Sequence, residues 1–241
     1  MANAISQAID ASSILPPDPV DDAGRPLDMI HDREYRVRAF RVAADRVLIR
    51  GAVRDQKPAG LYFAEDPDPL TIHHMMIDIE VEYPSFEIVA ASTVLDVHPH
   101  GACQDIVGHY DKLVGLSIAR GFTHKVRELF GGPRGCTHTT MLIQAMAPVA
   151  MQCIWSLRAA DSERGATPDT VTADDGVPER PAPAQDQMWR VNLNSCHVWA
   201  EDSDWVRDLE AGTAVELPLW AERRMVELGI KPDDWRSRLR G

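Results

Sequence analysis

The stretch LTIHHMMIDIEVEY, residues 70–83, alternates apolar and acidic side chains over its second half. Ile77, Ile79 and Val81 share one parity, and the residues between them are acidic. This period of two is that of a β-strand with one buried face and one solvated face. The stretch therefore predicts a strand of an antiparallel sheet, and its neighbours along the chain decide the class of fold.

Three further stretches show strand patterns: EYRVRAFRV at residues 34–42, DRVLIRGAV at 45–53 and FEIVAASTVLDV at 86–97. Short links join the four stretches, and strands joined by short links usually pair as antiparallel neighbours. A fifth short extended segment is predicted at WRVNLNSCHVWA, residues 189–200. The sequence thus predicts an antiparallel meander of about four to five strands.

Beyond Pro99 the apolar period changes from 2 to about 3.6, which indicates helices. We predict helices at residues 105–119, at 123–130 with Thr123 as the N-cap, from Cys136 or Thr137 to 160, and at 218–229. A sheet followed by helices is typical of an α+β fold in which a helical layer covers one face of the sheet. Residues 1–30 are predicted to form an irregular arm and 31–241 a single α+β domain with a flexible excursion at 161–187.

The net charge of the chain is -12, from 25 basic and 37 acidic residues, which argues against a nucleic-acid partner. The four cysteines lie far apart in sequence, and the first twenty residues lack the pattern of a signal peptide. The longest apolar run, residues 141–157, is interrupted by two glutamines and a proline, so no membrane span is expected. We expect a cytoplasmic protein with a small-molecule partner and no membrane, and a homo-oligomer is left open.

The stretch GGPRGCTHTTM, residues 131–141, concentrates the chemically interesting residues. It is not a phosphate-binding P-loop, because no lysine follows its glycines and the predicted element before it is a helix. Arg134 beside a helix N-terminus could hold a carboxylate or phenolate, and Cys136 at the same end could be a nucleophile. A metal site through His138 with His98 or His100 is the third hypothesis, and a simple turn before a buried helix is the fourth.

General acid–base chemistry is the remaining hypothesis. His109, His124 and His138 lie near the ends of three successive predicted helices, and Tyr110 lies on the first. Imidazole titrates near neutral pH, and a phenol can donate a hydrogen bond to a developing oxyanion. If these helix ends converge on the sheet, the residues would suit proton transfer on a neutral organic substrate.

The segment YDKLVGLSIARGFTHKVRELFGGPRGCTHTTML resembles a bacterial family known as domain of unknown function 2889 (DUF2889). The family pattern is P-x-x-x-C, then Y-x-x-L-x-G, then G-G-x-x-G-C-T-H. The matching positions are Pro99, Cys103, Tyr110, Leu113, Gly115, Gly121, Val126, Gly131, Gly132, Gly135, Cys136, Thr137 and His138. The resemblance covers residues 98–145 best. His124, Thr139 and Met141 depart from the pattern, and His98, His100 and His109 are additions to it.

The resemblance implies removal of formaldehyde from a lignin-derived phenylcoumaran dimer, which gives a stilbene. In that reaction a base takes the proton of a primary hydroxyl, a carbon–carbon bond breaks, and an ether oxygen leaves as a phenolate. No cofactor is expected, in agreement with the lack of a G-x-G-x-x-G fingerprint. The alternatives are a metal-dependent hydrolase or lyase with histidine and cysteine ligands, and a non-catalytic protein that binds an aromatic ligand.

The expected site has two groups of residues. Catalysis is assigned to His138, His124, Tyr110 and His109, and substrate binding to Arg134, Cys136, Thr137 and His98. No metal ligand is assigned.

Overall fold

The computed structural model describes residues 14–119, 121–163, 185–212 and 218–231. Within these ranges four strands form one antiparallel sheet in the order β1-β2-β3-β4. Their bounds are β1 Asp32–Arg41, β2 Arg46–Lys57, β3 Leu70–Glu82 and β4 Glu87–Val97. The described part of the chain also contains the α-helices α1 Phe122–Phe130, α2 Thr137–Glu163, α3 Asp204–Glu210 and α4 Leu219–Glu227. The predicted α+β class is confirmed.

The core lies between one face of the sheet and α2, which contacts β1, β2 and β3. Odd-numbered residues of β2 and β3 point into this core, and Ile49, Ile77 and Ile79 are fully buried there. Gly51 allows the helix to approach closely, because a Cβ at this position would lie 2.7 Å from the sulfur of Met146. Even-numbered residues form the opposite face, where ion pairs such as Arg50–Asp78 lie exposed.

Two helix predictions differ from the structure at their ends. Residues 105–119 were predicted as one helix, but a 3₁₀ segment runs over Gly101–Leu113 and the chain then turns extended. Gly115, with a φ of 85°, ends the helical path, and residues 114–118 then hydrogen-bond along the start of β4. Thr123 is not the N-cap of α1, because α1 begins one residue earlier and Gly121 occupies the cap.

The fifth extended segment, predicted at 189–200, is wrong. This part of the chain forms two 3₁₀ segments, Gln185–Asn192 and His197–Trp199. The Asn-Leu-Asn-Ser run between them favours turns, and Asn194 adopts a left-handed φ of 60°. Alternation of apolar residues over such a short stretch did not outweigh the turn-forming residues.

The predicted arm and excursion fall partly outside the described residues. Residues 14–30 contain one isolated bridge, Val20–Pro26, before β1 begins. Helix α2 continues to Glu163, three residues into the predicted excursion. Residues 1–13 and 164–184 lie outside the described residues.

Among the described residues, α2 is the one helix long and apolar enough to cross a membrane by length and composition. It includes the glutamines and the proline that were expected to interrupt the apolar run. Leu142, Ile143, Met146 and Ala150 of this helix are fully buried against the sheet and its neighbours. This packing is that of a core helix, and a cytoplasmic location stays a prediction.

Candidate active site

Three polar residues form a row across the sheet at one end of the core. The strand register places Arg33 of β1 opposite Asp55 of β2, and Asp55 opposite His73 of β3. Asp55 has the same parity as the buried core residues of β2, so its side chain points inward and is only 1% exposed. A carboxylate this deeply buried requires strong partners, because burial without them destabilises its charged form.

Arg33 is the strongest of these partners. Its Nε donates to Asp55 Oδ1 at 2.5 Å and its Nη2 donates to Oδ2 at 2.7 Å, which is a bidentate pair. His31 lies close as well, with Nε2 3.4 Å from Oδ1. The hydrogen bonds from Arg33 hold the pKa of the Asp55 carboxyl well below its ordinary value, although burial acts in the opposite direction. Asp55 is therefore an anion at neutral pH and can only accept hydrogen bonds.

Two imidazoles share the Oδ2 atom of Asp55. His73 Nδ1 lies 3.0 Å from it, and Nε2 of His138, from the first turn of α2, lies 3.2 Å from it. The two rings are stacked, with centroids 3.9 Å apart and planes inclined by 29°. Because the carboxylate is an acceptor, these two nitrogens are the protonated ones in the neutral rings. The lone pairs then lie on His73 Nε2 and His138 Nδ1.

The pKa of His138 is lowered from its ordinary value. Burial is the main cause, followed by the nearby charges of His73 and Arg33, while Asp55 acts in the opposite direction. His138 thus takes up a proton less readily than a free imidazole does. A neutral imidazole with a fixed tautomer is the form that can act as a base.

The glycine-rich turn before α2 places Cys136 next to this cluster. Cys136 Sγ lies 3.8 Å from His138 Nδ1. The buried Tyr110 hydroxyl accepts a hydrogen bond from the Cys136 N–H at 2.8 Å and donates one to the Cys136 carbonyl at 3.2 Å. Gly135 is required sterically, because a Cβ there would lie 2.4 Å from the carbonyl oxygen of Phe130. The turn is therefore a device for positioning the first residues of α2.

The structure brings together a few of the residues that the sequence assigned to the site. His138 lies at its centre, Cys136 contacts His138, and Tyr110 contacts the backbone of Cys136. Thr137 is the first residue of α2, and its side chain is exposed. The Tyr110 hydroxyl is hydrogen-bonded to the backbone of Cys136, and its role as an acid stays a prediction.

The other assigned residues make local contacts outside the cluster. His109 Nε2 donates to the Leu129 carbonyl at 3.1 Å, and its ring lies edge-on to Phe130. His124 is exposed on α1. Arg134 is exposed and donates to the Arg127 carbonyl at 3.1 Å. His98 bonds the His100 carbonyl at 2.9 Å and the side chain of Gln104. Catalytic and binding roles for these four residues stay predictions.

Sequence reasoning missed Arg33, Asp55 and His73. The sequence did contain a signal for Asp55, because this residue continues the alternate positions of β2 that face the core, after Val47, Ile49 and Val53. A carboxylate at a core-facing position requires a partner or a function. His73 likewise has the parity of the buried residues of β3.

The cluster also has the composition of a metal site. Asp55, His73 and His138 each offer a ligand atom, and these atoms lie within 4.8 Å of one another. Two imidazoles and a carboxylate suit zinc and non-haem iron.

These features define an α+β protein with a histidine–carboxylate centre at the end of its sheet. The chain belongs to the DUF2889 family, whose model, described as a protein of unknown function, matches residues 31–152. The match includes the four residues Arg33, Asp55, His73 and His138. No curated protein and no solved structure matches the chain.

Proposed function

We propose that the protein is a lyase that removes formaldehyde from a lignin-derived phenylcoumaran-type dimer by acid–base cleavage of a carbon–carbon bond. One observation supports the acid–base chemistry: two stacked imidazoles share one buried, ionised carboxylate. The substrate class rests on the family resemblance of residues 98–145. The product would be a stilbene.

His73 is the base in this proposal. Its Nδ1–H is held by Asp55, so Nε2 holds the lone pair that accepts the proton of the primary hydroxyl. The electrons of the O–H bond form the carbonyl of formaldehyde as the carbon–carbon bond breaks. The electrons of that bond form the new double bond of the stilbene and expel the ether oxygen as a phenolate. The His73 imidazolium returns its proton to the phenolate, so no net proton is consumed.

Asp55 and His138 support this cycle. Asp55 stabilises the imidazolium electrostatically and remains ionised itself because Arg33 binds it. A positive charge on His73 is one of the causes that lower the pKa of His138, so protonation of His73 opposes protonation of His138. The pair therefore handles one proton at a time.

The test is turnover of a phenylcoumaran substrate, with released formaldehyde and stilbene both quantified. Wild-type protein is compared with His73→Gln and with His74→Gln. His74 is a matched control, because it is the next residue of β3 and points to the opposite face, where it bonds Asp96 at 2.9 Å. We expect a loss of about 100-fold or more in kcat for His73→Gln and a change within about twofold for His74→Gln.

Two results would contradict the proposal. Full activity of His73→Gln would remove His73 as the base. Binding of phenylcoumarans without any formaldehyde release would leave the alternative of a non-catalytic protein that binds an aromatic ligand.

A metal-dependent hydrolase or lyase is the second candidate, favoured by the three converging ligand atoms of Asp55, His73 and His138. It makes a different prediction for the purified protein. Elemental analysis would show about one zinc or iron per chain, and chelation would abolish activity. In the imidazole-base mechanism, chelation leaves activity unchanged.

A further inference from the structure

Cys136 contacts His138, which in turn contacts Asp55, and the proposed lyase mechanism gives Cys136 no role. The sulfur of Cys136 is 3.8 Å from Nδ1 of His138, and Nε2 of the same ring is 3.2 Å from Asp55 Oδ2. With the proton on Nε2, the nitrogen nearer Asp55, the lone pair of Nδ1 faces the thiol. This is the arrangement in which an imidazole takes a proton from a nucleophile and a carboxylate stabilises the imidazolium.

The backbone around Cys136 is built to hold this position. Cys136 precedes the first residue of α2, a helix of 27 residues, and its carbonyl accepts the N–H of Thr140 at 2.9 Å. The sulfur therefore lies at the N-terminus of a long helix, where free backbone N–H groups favour nearby negative charge. The Tyr110 hydroxyl binds both the N–H and the carbonyl of Cys136, and Gly135 permits the tight passage past Phe130.

We propose that Cys136, His138 and Asp55 form a nucleophilic triad whose sulfur adds reversibly to the carbonyl carbon of a small aldehyde. In this step His138 accepts the thiol proton, the sulfur forms a bond to the carbonyl carbon, and the electrons of the C=O π bond move to oxygen. His138 then returns the proton to that oxygen, which gives a neutral hemithioacetal. The atoms and the proton balance without an oxidant, a reductant or a leaving group.

The choice of an aldehyde as ligand rests on the proposed function, and formaldehyde is the smallest ligand of this class. With it the adduct is an S-hydroxymethyl group on Cys136. The triad stands on its own geometry and does not require the proposed lyase activity. If that activity is correct, the triad lies beside the base that generates the same aldehyde.

The first experiment measures thiol alkylation in the full chain. The protein is treated with limiting iodoacetamide, and the alkylation rate of each cysteine is followed by peptide mass spectrometry. Cys103 is the matched control, because it is half-buried like Cys136, and Cys196 is an exposed control. We expect Cys136 to react about tenfold or more faster than either. A rate for Cys136 equal to or below that of Cys103 overturns the triad, and this comparison needs no variant.

The second experiment tests the role of the histidine and the class of ligand. His138→Gln removes the proton acceptor, so the rate advantage of Cys136 should disappear, whereas His74→Gln should retain it. Brief exposure to formaldehyde should slow alkylation of Cys136 and leave Cys103 unchanged. Unaltered reactivity in His138→Gln overturns the relay, and a lack of protection by formaldehyde overturns the aldehyde ligand. Neither readout uses a lyase substrate, so failure here is separate from failure of the lyase proposal.

Discussion

The hydroxyl of Tyr110 has a measurable structural role that the substitution Tyr110→Phe isolates. The ring would keep its stacked packing on Phe130, with centroids 4.9 Å apart, and no cavity larger than one oxygen would form. Two hydrogen bonds to Cys136 would be lost, one from its N–H at 2.8 Å and one to its carbonyl at 3.2 Å. A typical hydrogen bond contributes about 1 kcal/mol, and an N–H left without a partner costs about 1–3 kcal/mol. We expect the free energy of unfolding to fall by about 2–3 kcal/mol.

The assay is urea denaturation followed by tryptophan fluorescence, at equal protein concentration and with the denaturant slope compared between variants. Tyr83→Phe is the matched control. Tyr83 donates to the carbonyl of Ala150 at 2.6 Å, but that carbonyl lies inside α2, where the helix ladder also pairs it. Its loss should cost about 1 kcal/mol. The reasoning is refuted if Tyr110→Phe is no more destabilising than Tyr83→Phe.

Three further predictions concern the same end of the fold. Gly135→Ala should lower the free energy of unfolding, measured by urea denaturation, by about 1–3 kcal/mol, because the added Cβ meets the Phe130 carbonyl. In the control Gly108→Ala the added Cβ meets nothing within 4 Å, so the effect should be neutral or slightly stabilising. Asp55→Asn should lower the free energy of unfolding by about 2–3 kcal/mol at pH 7, through weakened charge-assisted hydrogen bonds. The pKa of Asp55 is lower in the folded than in the unfolded chain, so the difference in stability between the wild type and Asp55→Asn should be complete above about pH 5. It should shrink as the pH falls below about 4, and a difference that does not change with pH would contradict the prediction. The pKa of His138 is also lowered by folding, so the unfolded chain binds its proton first as the pH falls below about 6.5, and acid destabilises the fold. The melting temperature of the wild type should therefore fall more between pH 7.5 and 5.5 than that of His138→Gln, and parallel curves would count against this assignment.

The sheet could be predicted from sequence because its signal is local. Alternation in residues 70–83 and in its three neighbours depends on each strand having one buried face, and short links leave an antiparallel meander as the simplest pairing. The prediction of an extended segment at 189–200 was wrong because the signal is only local. A few alternating apolar residues do not show whether a neighbouring strand is available to pair with them. The predicted helix ends were wrong near Gly115 and Gly121, where the backbone conformation of the glycine rather than side-chain periodicity decides the path of the chain.

The site was harder to predict because its parts are brought together by contacts between distant positions. His138 and Cys136 could be found, since the turn that positions them is a local motif. Arg33, Asp55 and His73 become neighbours only through the register of three strands, and a shift of one residue would turn each side chain to the other face. No pattern within a single strand specifies that register. The core-facing parity of Asp55 and His73 marks them as unusual, but it does not name their partners.

The register itself changes at the site. Asp55 pairs with His73, but Gln56 pairs with Thr71, so Ile72 is an extra residue in β3 directly beside the cluster. A bulge of this kind bends the strand and re-aims the side chains on either side of it, and bulges are common next to active sites. The pairing of β2 with β3 is thus irregular where Asp55 and His73 lie. Ion pairing by Arg33 then stabilises a carboxylate that the regular core would exclude, and α2 adds His138 from the opposite layer. The candidate site lies where the apolar pattern of the sheet ends.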